Sequence, residues 1–146
     1  MSQESQLVKD LNNYMKGKGI AYRLKQSRFI TQIVDVLVDS PVHGYLCCEC
    51  KSLKYKNAYK IYFSSNFKNT KTGHQVTNIS RFVKLSGRKA FLIVELRFGR
   101  GKRNKYYKVP WSIVLRRFKT KKKFVPLLKK WKIKHVGEIL NDKTKI

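Results

Sequence analysis

The segment QIVDVLVDSPVHGYLCCECKS, residues 32–52, decides the fold expected of this chain. Residues 32–39 are mostly β-branched and apolar, which predicts a strand. Residues 40–44 (SPVHG) have the composition of a turn, and residues 45–52 predict a second strand. We therefore expect a β-hairpin over residues 32–52.

Two carboxylates fall within this hairpin. Glu49 and Lys51 are two residues apart on one strand and so point to the same face. If the strand pairing centres near residue 42, Asp35 lies opposite Glu49, with Cβ atoms about 5 Å apart. Two carboxylates at that distance repel each other unless a proton or a cation lies between them. A hard divalent cation with oxygen ligands suits this position, and it would activate a water for attack on a phosphate. The alternative is an incidental pair of acids that bind nearby lysines.

Two further acids are candidates for the same site. Glu4 lies one turn before Leu7, on the inward stripe of a helix predicted over residues 3–16, and could reach the metal. It would equally stabilise the first helical turn through the helix dipole, and the sequence does not separate these two roles. Asp39 competes with Asp35, but it precedes a Ser-Pro pair, where Asp commonly starts a turn. We favour Asp35.

The remaining periodicity predicts one α/β domain. The segment from residue 53 to 72 is interpreted as a loop with a short ordered piece near residues 59–63. Further elements are predicted as helices over 74–86, 110–118 and 126–134, and as strands over 20–25, 89–98 and 105–109. This order predicts a central mixed five-stranded sheet flanked by helices.

Charge indicates the partner of this chain. Its 146 residues include 34 basic and only 8 acidic side chains, a net charge of +26. Such a surplus repels itself unless a polyanion is bound, and nucleic acid is the partner that it favours. The hydrophobic content of 42% excludes a disordered basic tail.

The cysteines and the termini indicate the compartment. Cys47, Cys48 and Cys50 are odd in number and too closely spaced for a disulfide framework, so we expect buried thiols in a reducing environment. Their spacing does not suit a zinc site. No apolar run is long enough to span a membrane, and the polar N-terminus is unlike a secretory signal. We expect a cytoplasmic location, in the host cytoplasm if the source is viral.

The spacing of Asp35 and the triplet Glu49-Cys50-Lys51, with thirteen residues between them, resembles the motif of the PD-(D/E)xK nuclease superfamily. Val34 stands where that motif usually has proline. More of the chain is similar to the archaeal-type Holliday-junction resolvases, including related viral and phage enzymes. The similar stretches are Glu4–Leu11, Gly19–Arg23, His74–Phe82, Gly87–Val94 and Lys105–Trp111. The family's Gly/Ser-rich segment is represented only by Ser27.

The resemblance implies a restriction-endonuclease-like core over residues 1–118. A basic extension over 119–146 would be part of the same domain or a flexible arm. It implies a homodimeric, Mg²⁺-dependent endonuclease, with Mn²⁺ as a substitute, that resolves four-way DNA junctions in recombination and repair. Glu4, Asp35 and Glu49 would bind the metal, and Lys51 would assist the nucleophilic water. Neither a membrane nor a small-molecule cofactor is implied.

Several polar side chains are candidates for contact with nucleic acid. Gln75 could contact the metal-site water or the DNA backbone, or be an ordinary polar residue of a first helical turn. For His74 we expect a surface or capping role in preference to catalysis. The other candidates are Arg23, Lys25, Ser27 and Arg28 before the Asp35 strand, and Arg100, Lys102 and Arg103 in a basic turn. The run 119–123 is expected to add affinity without reading sequence. The alternative functions are another repair or restriction-like nuclease on the same core, and a non-enzymatic nucleic-acid-binding protein.

Overall fold

The structure is a computed structural model that describes residues 2–23, 34–54 and 59–140. Within these ranges the helices are α1 (Gln3–Met15), α2 (Gln75–Ser86) and α3 (Trp111–Lys119). The strands, in chain order, are β1 (Ile20–Tyr22), β2 (Val36–Ser40), β3 (Gly44–Lys54), β4 (Lys60–Tyr62), β5 (Asn69–Thr70), β6 (Gly73–His74), β7 (Lys89–Arg97), β8 (Lys105–Pro110), β9 (Phe124–Pro126) and β10 (Lys132–Ile133). Short 3₁₀ turns cover Lys129–Trp131 and Val136–Ile139.

The central sheet is mixed, as predicted, but it contains one strand more than expected. Its strand order is β1-β2-β3-β7-β8-β10 among the described residues. The β3–β7 pair is parallel and the other pairs are antiparallel. The sixth strand, β10, pairs with β8 and comes from the segment predicted to be a helix. The α/β fold class is therefore confirmed, with six strands in place of five.

The hairpin that decides the fold has the predicted register. Val36 pairs with Cys48, and Ser40 pairs with Gly44 at the turn. Gly44 has a φ of +100°, a conformation that side chains disfavour. Strand β2 begins at Val36, so Asp35 immediately precedes it and lies across from Glu49. The predicted positions 32 and 33 lie outside the described residues, as do 24 and 25 of the strand predicted over 20–25.

Helices cover both faces of the sheet. Leu7, Leu11 and Met15 recur every four residues on α1 and pack in one core cluster against one face. Val76 and Ile79 of α2 pack in a second cluster with α3 on the opposite face. The side chains of β3 alternate between these two clusters, so its odd-numbered residues from 47 to 51 lie on the α2 side. None of the helices in the described ranges is long and apolar enough to cross a membrane.

The predicted helix over residues 126–134 is wrong. Strand β9 pairs with β4, and the backbone N–H of Leu127 donates to Tyr59 O at 2.8 Å. These pairings hold the chain extended, and Trp131 is then buried in the core by a single 3₁₀ turn. Tertiary contacts therefore outweigh a weak local helical preference. The same contacts order β4, which corresponds to the short ordered piece expected near residues 59–63. The domain boundary at residue 118 stays a prediction.

The segment beyond residue 118 is expected to contribute to stability. Ile139 is 1% exposed in the cluster beneath α1, so Ile139→Ala should lower the free energy of unfolding by about 2–4 kcal/mol. Urea titration measures this change. The control is Leu128→Ala, since Leu128 is 40% exposed in the same segment and should change stability by less than about 0.5 kcal/mol. Equal effects of the two variants would contradict the packing described here.

Candidate active site

A buried carboxylate forms the centre of the site. Glu49 is 4% exposed, although its strand neighbours are mostly apolar. Its Oε2 accepts a 2.6 Å hydrogen bond from Gln75 Nε2 and lies 3.3 Å from Lys51 Nζ. Lys51 Nζ also donates to Gln75 Oε1 at 3.2 Å. The three side chains therefore form a closed polar triangle at the edge of the α2-side core.

Asp35 brings a second negative charge to this triangle. Its Oδ2 accepts a 2.8 Å hydrogen bond from the backbone N–H of Cys50, which holds the carboxylate beside Glu49. Burial and the neighbouring Asp35 carboxylate together raise the pKa of Glu49 to about 8, although Lys51 lowers it. The predicted proximity of Asp35 and Glu49 is thus present in the structure, together with its electrostatic cost.

The donor set fits a hard divalent cation. Two carboxylates in a polar, partly open cleft are the oxygen ligands that Mg²⁺ and Mn²⁺ prefer, and a cation would offset the repulsion that raises the pKa of Glu49. Glu4 lines the wall of the same cleft. Across the described ranges, no three His, Cys, Asp or Glu side chains are close enough together to hold a metal ion. The metal-binding role of Glu4 therefore stays a prediction.

The cleft has a volume of about 740 Å³. Besides the carboxylates, it has a second wall that carries several polar side chains. This wall comes from α2 and the β5–β6 hairpin. Asn78 Nδ2 donates to the hydroxyls of Thr70 at 3.3 Å and Thr72 at 3.1 Å, while its buried Oδ1 has no hydrogen-bond partner in the described part of the chain. Lys68 and Arg81 are exposed and line the cleft beside these groups.

Sequence reasoning missed this second wall. The stretch NTKTGH (residues 69–74) has the polar composition of an ordinary turn. The one feature of this stretch that could have indicated a role in the site is its position immediately before Gln75. The β5–β6 pairing then turns the threonine hydroxyls toward Asn78, one helical turn later on α2. Only the folded chain brings Lys68 and Arg81 to the cleft that holds Glu49.

The start of α2 positions Gln75. His74 caps the helix, because its Nδ1 accepts from Val76 N–H at 3.1 Å while its Nε2 lies 2.8 Å from Phe63 O. Of the surface and capping roles considered for His74, the structure shows the capping role. The backbone N–H of Gln75 donates to Lys68 O, and Gln75 Oε1 accepts from Lys68 N–H at 3.1 Å. Gln75 is therefore anchored at both ends and presents its amide to Glu49.

Asp39 lies in a different environment. It pairs with Arg88 at 2.7 Å and accepts a 2.7 Å hydrogen bond from Tyr22 OH. Burial opposes the ionisation of Asp39, but these two partners outweigh it and lower the pKa of the carboxyl. Asp39 pairs with Tyr45, four positions from Glu49 on β3. The geometry thus favours Asp35 as the acid that accompanies Glu49.

Of the predicted DNA contacts in the described ranges, Gln75 lines the cleft, whereas Arg23 and the basic turn do not. Arg23 is exposed at the end of β1 and donates to Ser5 Oγ at 3.1 Å. The β7–β8 turn carries three exposed basic residues, which are not among the side chains that line the cleft: Arg100, Lys102 and Arg103. Lys25, Ser27 and Arg28 lie outside the described residues.

The cysteines are buried and free, as expected. Burial raises the pKa of the Cys47 thiol to about 11 and that of Cys48 to about 12, so both are protonated at neutral pH. Cys47 lies on the face of Glu49, and Cys48 and Cys50 lie on the α1 face. They act as small apolar side chains of the two core clusters.

Comparison with solved structures identifies the fold. The structure of Hjc, a Holliday junction resolvase from the hyperthermophilic archaeon Archaeoglobus fulgidus, is similar with a TM-score of 0.55 at 16% sequence identity. The match covers 93% of this chain and 98% of the Hjc chain. The matched share of this chain is larger than the share that residues 1–118 make up. No protein-family model and no curated protein matches the sequence. This chain therefore has the restriction-endonuclease-like fold of an archaeal resolvase, and the resemblance is confirmed at the level of the fold.

The burial of Glu49 predicts an unusual dependence of stability on pH. The folded state binds the Glu49 proton more tightly than the unfolded state, so wild-type stability falls as pH rises from the ordinary pKa of 4.5 toward about 8. Glu49→Gln removes this loss. In EDTA, the variant should gain on the order of 2–3 kcal/mol relative to wild type between pH 5 and pH 8, as measured by urea unfolding.

Glu138→Gln is the matched control for this titration. Hydrogen bonds from the backbone N–H groups of Lys134 and His135 lower the pKa of Glu138 below its usual value, so it titrates below this window. The stability of this variant relative to wild type should stay constant between pH 5 and pH 8. The same pH dependence in both variants would contradict the environment described for Glu49.

Proposed function

We propose that this protein is a structure-specific DNA endonuclease that resolves four-way (Holliday) junctions by metal-dependent phosphodiester hydrolysis. The observation that carries the proposal is the buried Glu49 carboxylate, which lies beside Asp35 and contacts both Lys51 and Gln75 in a cleft with cationic walls. The resolvase fold and the net charge of +26 support it.

Asp35 and Glu49 would hold the metal ion, with Glu4 as a further ligand from the cleft wall. Mg²⁺ is the proposed ion, and Mn²⁺ is its substitute. When bound, the ion supplies an activated water and neutralises charge that develops on the phosphate. The remaining work belongs to the side chains of this chain, which must bind and orient the DNA strand.

Gln75 is proposed as a positioning residue. Its amide donates to Glu49 and accepts from Lys51, which fixes the carboxylate and the ammonium relative to each other. The Lys51 ammonium also lies 4.9 Å from the centre of the Phe67 ring, which limits its freedom on the apolar side. Lys51 is thereby directed at the space beside the carboxylates, where it would orient the attacking water or hold the scissile phosphate.

The cationic walls would hold the DNA strand around this point. Lys68 and Arg81 are exposed in the cleft, and neither forms an ion pair with a carboxylate in the described ranges. Phosphate oxygens are their natural partners. In the proposed homodimer, two such clefts would cut two strands of a junction symmetrically. The β7–β8 turn would add backbone contacts farther from the cut.

A cleavage assay tests this proposal. An end-labelled four-way junction and a linear duplex of matched sequence are incubated with the protein, in magnesium and in EDTA. We expect paired symmetric nicks on the junction, in magnesium alone. Cutting of both DNAs would replace junction resolution with a broader nuclease activity. Binding of the junction without cutting in magnesium and in manganese would reject the nuclease and favour a non-enzymatic binder.

Substitution of Glu49 separates cutting from binding. Glu49→Gln should reduce junction cleavage at least about 100-fold, because it removes a proposed metal ligand, and should keep the junction affinity. The matched control is Glu95→Gln. Glu95 is equally buried, at 6% exposure, but it lies on the other face of the sheet and contacts Ser52, Arg97 and Tyr106. Cleavage should persist in this control, and its persistence in Glu49→Gln as well would exclude Glu49 from the site.

A further inference from the structure

A second basic groove lies outside the catalytic cleft. It is formed by the C-terminal half of α3, the turn that follows it and the segment from β9 to the 3₁₀ turn Lys129–Trp131. Its volume is about 610 Å³, and it shares no lining residue with the cleft that contains Glu49. The side chains that line it are Ile113, Arg116, Arg117, Thr120, Lys122, Pro126, Leu128, Lys130 and Trp131.

Four cations line this groove, and no carboxylate does: Arg116, Arg117, Lys122 and Lys130. The sequence has no acidic residue between Glu95 and Glu138. Within the described ranges, none of the four cations has a carboxylate at ion-pair distance. The groove therefore concentrates positive charge that the protein itself does not neutralise, and an anion bound there would meet no opposing charge.

One cation of the groove, Arg117, is held in place by Phe124 at the start of β9. Arg117 Nε donates to Phe124 O at 2.7 Å, and its guanidinium lies 5.6 Å from the centre of the Phe124 ring. The other guanidinium N–H groups of Arg117 have no acceptor among the described residues and are available to a ligand. A fixed guanidinium loses less conformational entropy on binding an anion than a mobile one does.

Trp131 supplies an independent indication of a ligand. Its side chain is 4% exposed, lines the groove, and has an indole Nε1 without a hydrogen-bond partner across the described residues. A buried N–H without an acceptor is costly and calls for an explanation. Lys130 Nζ lies 5.6 Å from the centre of the Trp131 ring. Because the indole nitrogen is itself buried, an anion in the groove would gain this N–H as a further donor when the side chains around it move.

We propose that this groove binds the phosphodiester backbone of DNA, at a position away from the strand that is cut. The groove is open and four of its nine lining side chains are cations, which suits a phosphate backbone more than a compact small molecule. The choice of DNA as the polyanion rests on the proposed function. The proposal that the groove binds a backbone does not rest on the proposed function, because the groove would bind that backbone whether or not the cleft cuts the DNA. A junction gripped at two separate places would be held in a defined orientation.

The two tryptophans of the chain make a direct test possible. Trp111 Nε1 donates to Ser80 Oγ at 2.9 Å, so its indole N–H is already bonded and serves as an internal control. The full-length protein, labelled with ¹⁵N, is titrated in EDTA with a short DNA duplex. We expect the Trp131 indole resonance to move downfield as a hydrogen bond forms, while the Trp111 resonance stays in place. No movement of Trp131 at saturating DNA would overturn the proposal.

Two further titrations identify the anion. Inorganic phosphate at the same phosphate concentration should move the Trp131 resonance far less than DNA does. An equal response would show that the groove binds free phosphate and would overturn the assignment to a DNA backbone. A response to an RNA duplex alone would also overturn the assignment to DNA. Because no cutting is needed, a Trp131 response in a protein that cleaves nothing would reject the proposed function and keep the groove.

Charge removal gives a second, independent measurement. The double variant Arg116→Gln/Lys130→Gln should weaken junction binding in EDTA about tenfold and lower the slope of log Kd against log salt concentration by about 2. The control, Lys9→Gln/Lys18→Gln, removes the same charge from exposed positions that line neither the cleft nor the groove. Equal losses of junction affinity in both variants would show that the positive charge of the whole surface, and not this groove, attracts the DNA. That result would overturn the proposal.

Discussion

The pairing register of β2 with β3 is the constraint on which the site depends. It places Asp35 across from Glu49 and directs Glu49 and Lys51 to the face covered by α2. A slip of one residue would turn both side chains of β3 to the α1 face and bring Cys48 and Cys50 to the cleft. The register is secured from both faces, because Val36 and Val38 pack under α1 while Leu37 and Cys47 pack in the α2-side cluster.

That register imposes an electrostatic cost on the fold. A carboxylate that is 4% exposed and lies beside a second carboxylate is unfavourable unless a proton or a cation accompanies it. Lys51 and Gln75 compensate part of this cost through the two contacts at Glu49 Oε2. The raised pKa of Glu49 indicates that the compensation is incomplete. Sites that violate ordinary rules of burial in this way are commonly functional ones.

The hairpin and its acids could be predicted because local sequence determines them. The apolar alternation, the turn residues and the two-residue spacing of Glu49 and Lys51 require no knowledge of the rest of the chain. The segment from residue 124 onward could not be predicted, because its strands exist only through pairing with β4 and β8. The second cleft wall was missed for the same reason, since Lys68 and Arg81 reach the cleft only when the β5–β6 hairpin and α2 are in place.

The distribution of charge bears on how a strongly basic protein would hold the proposed metal ion. Of its eight acidic residues, Glu4, Asp35 and Glu49 line one cleft, whereas Asp39 and Glu95 are paired with arginines. Three of the eight acidic residues are therefore concentrated in one cleft of a protein whose net charge is +26. A phosphate approaching these carboxylates is repelled unless cations intervene, and Lys51, Lys68 and Arg81 stand around the same space. A divalent ion at the carboxylates would make this part of the cleft attractive to a phosphate, so the metal site and the DNA-binding surface proposed for this chain would be complementary.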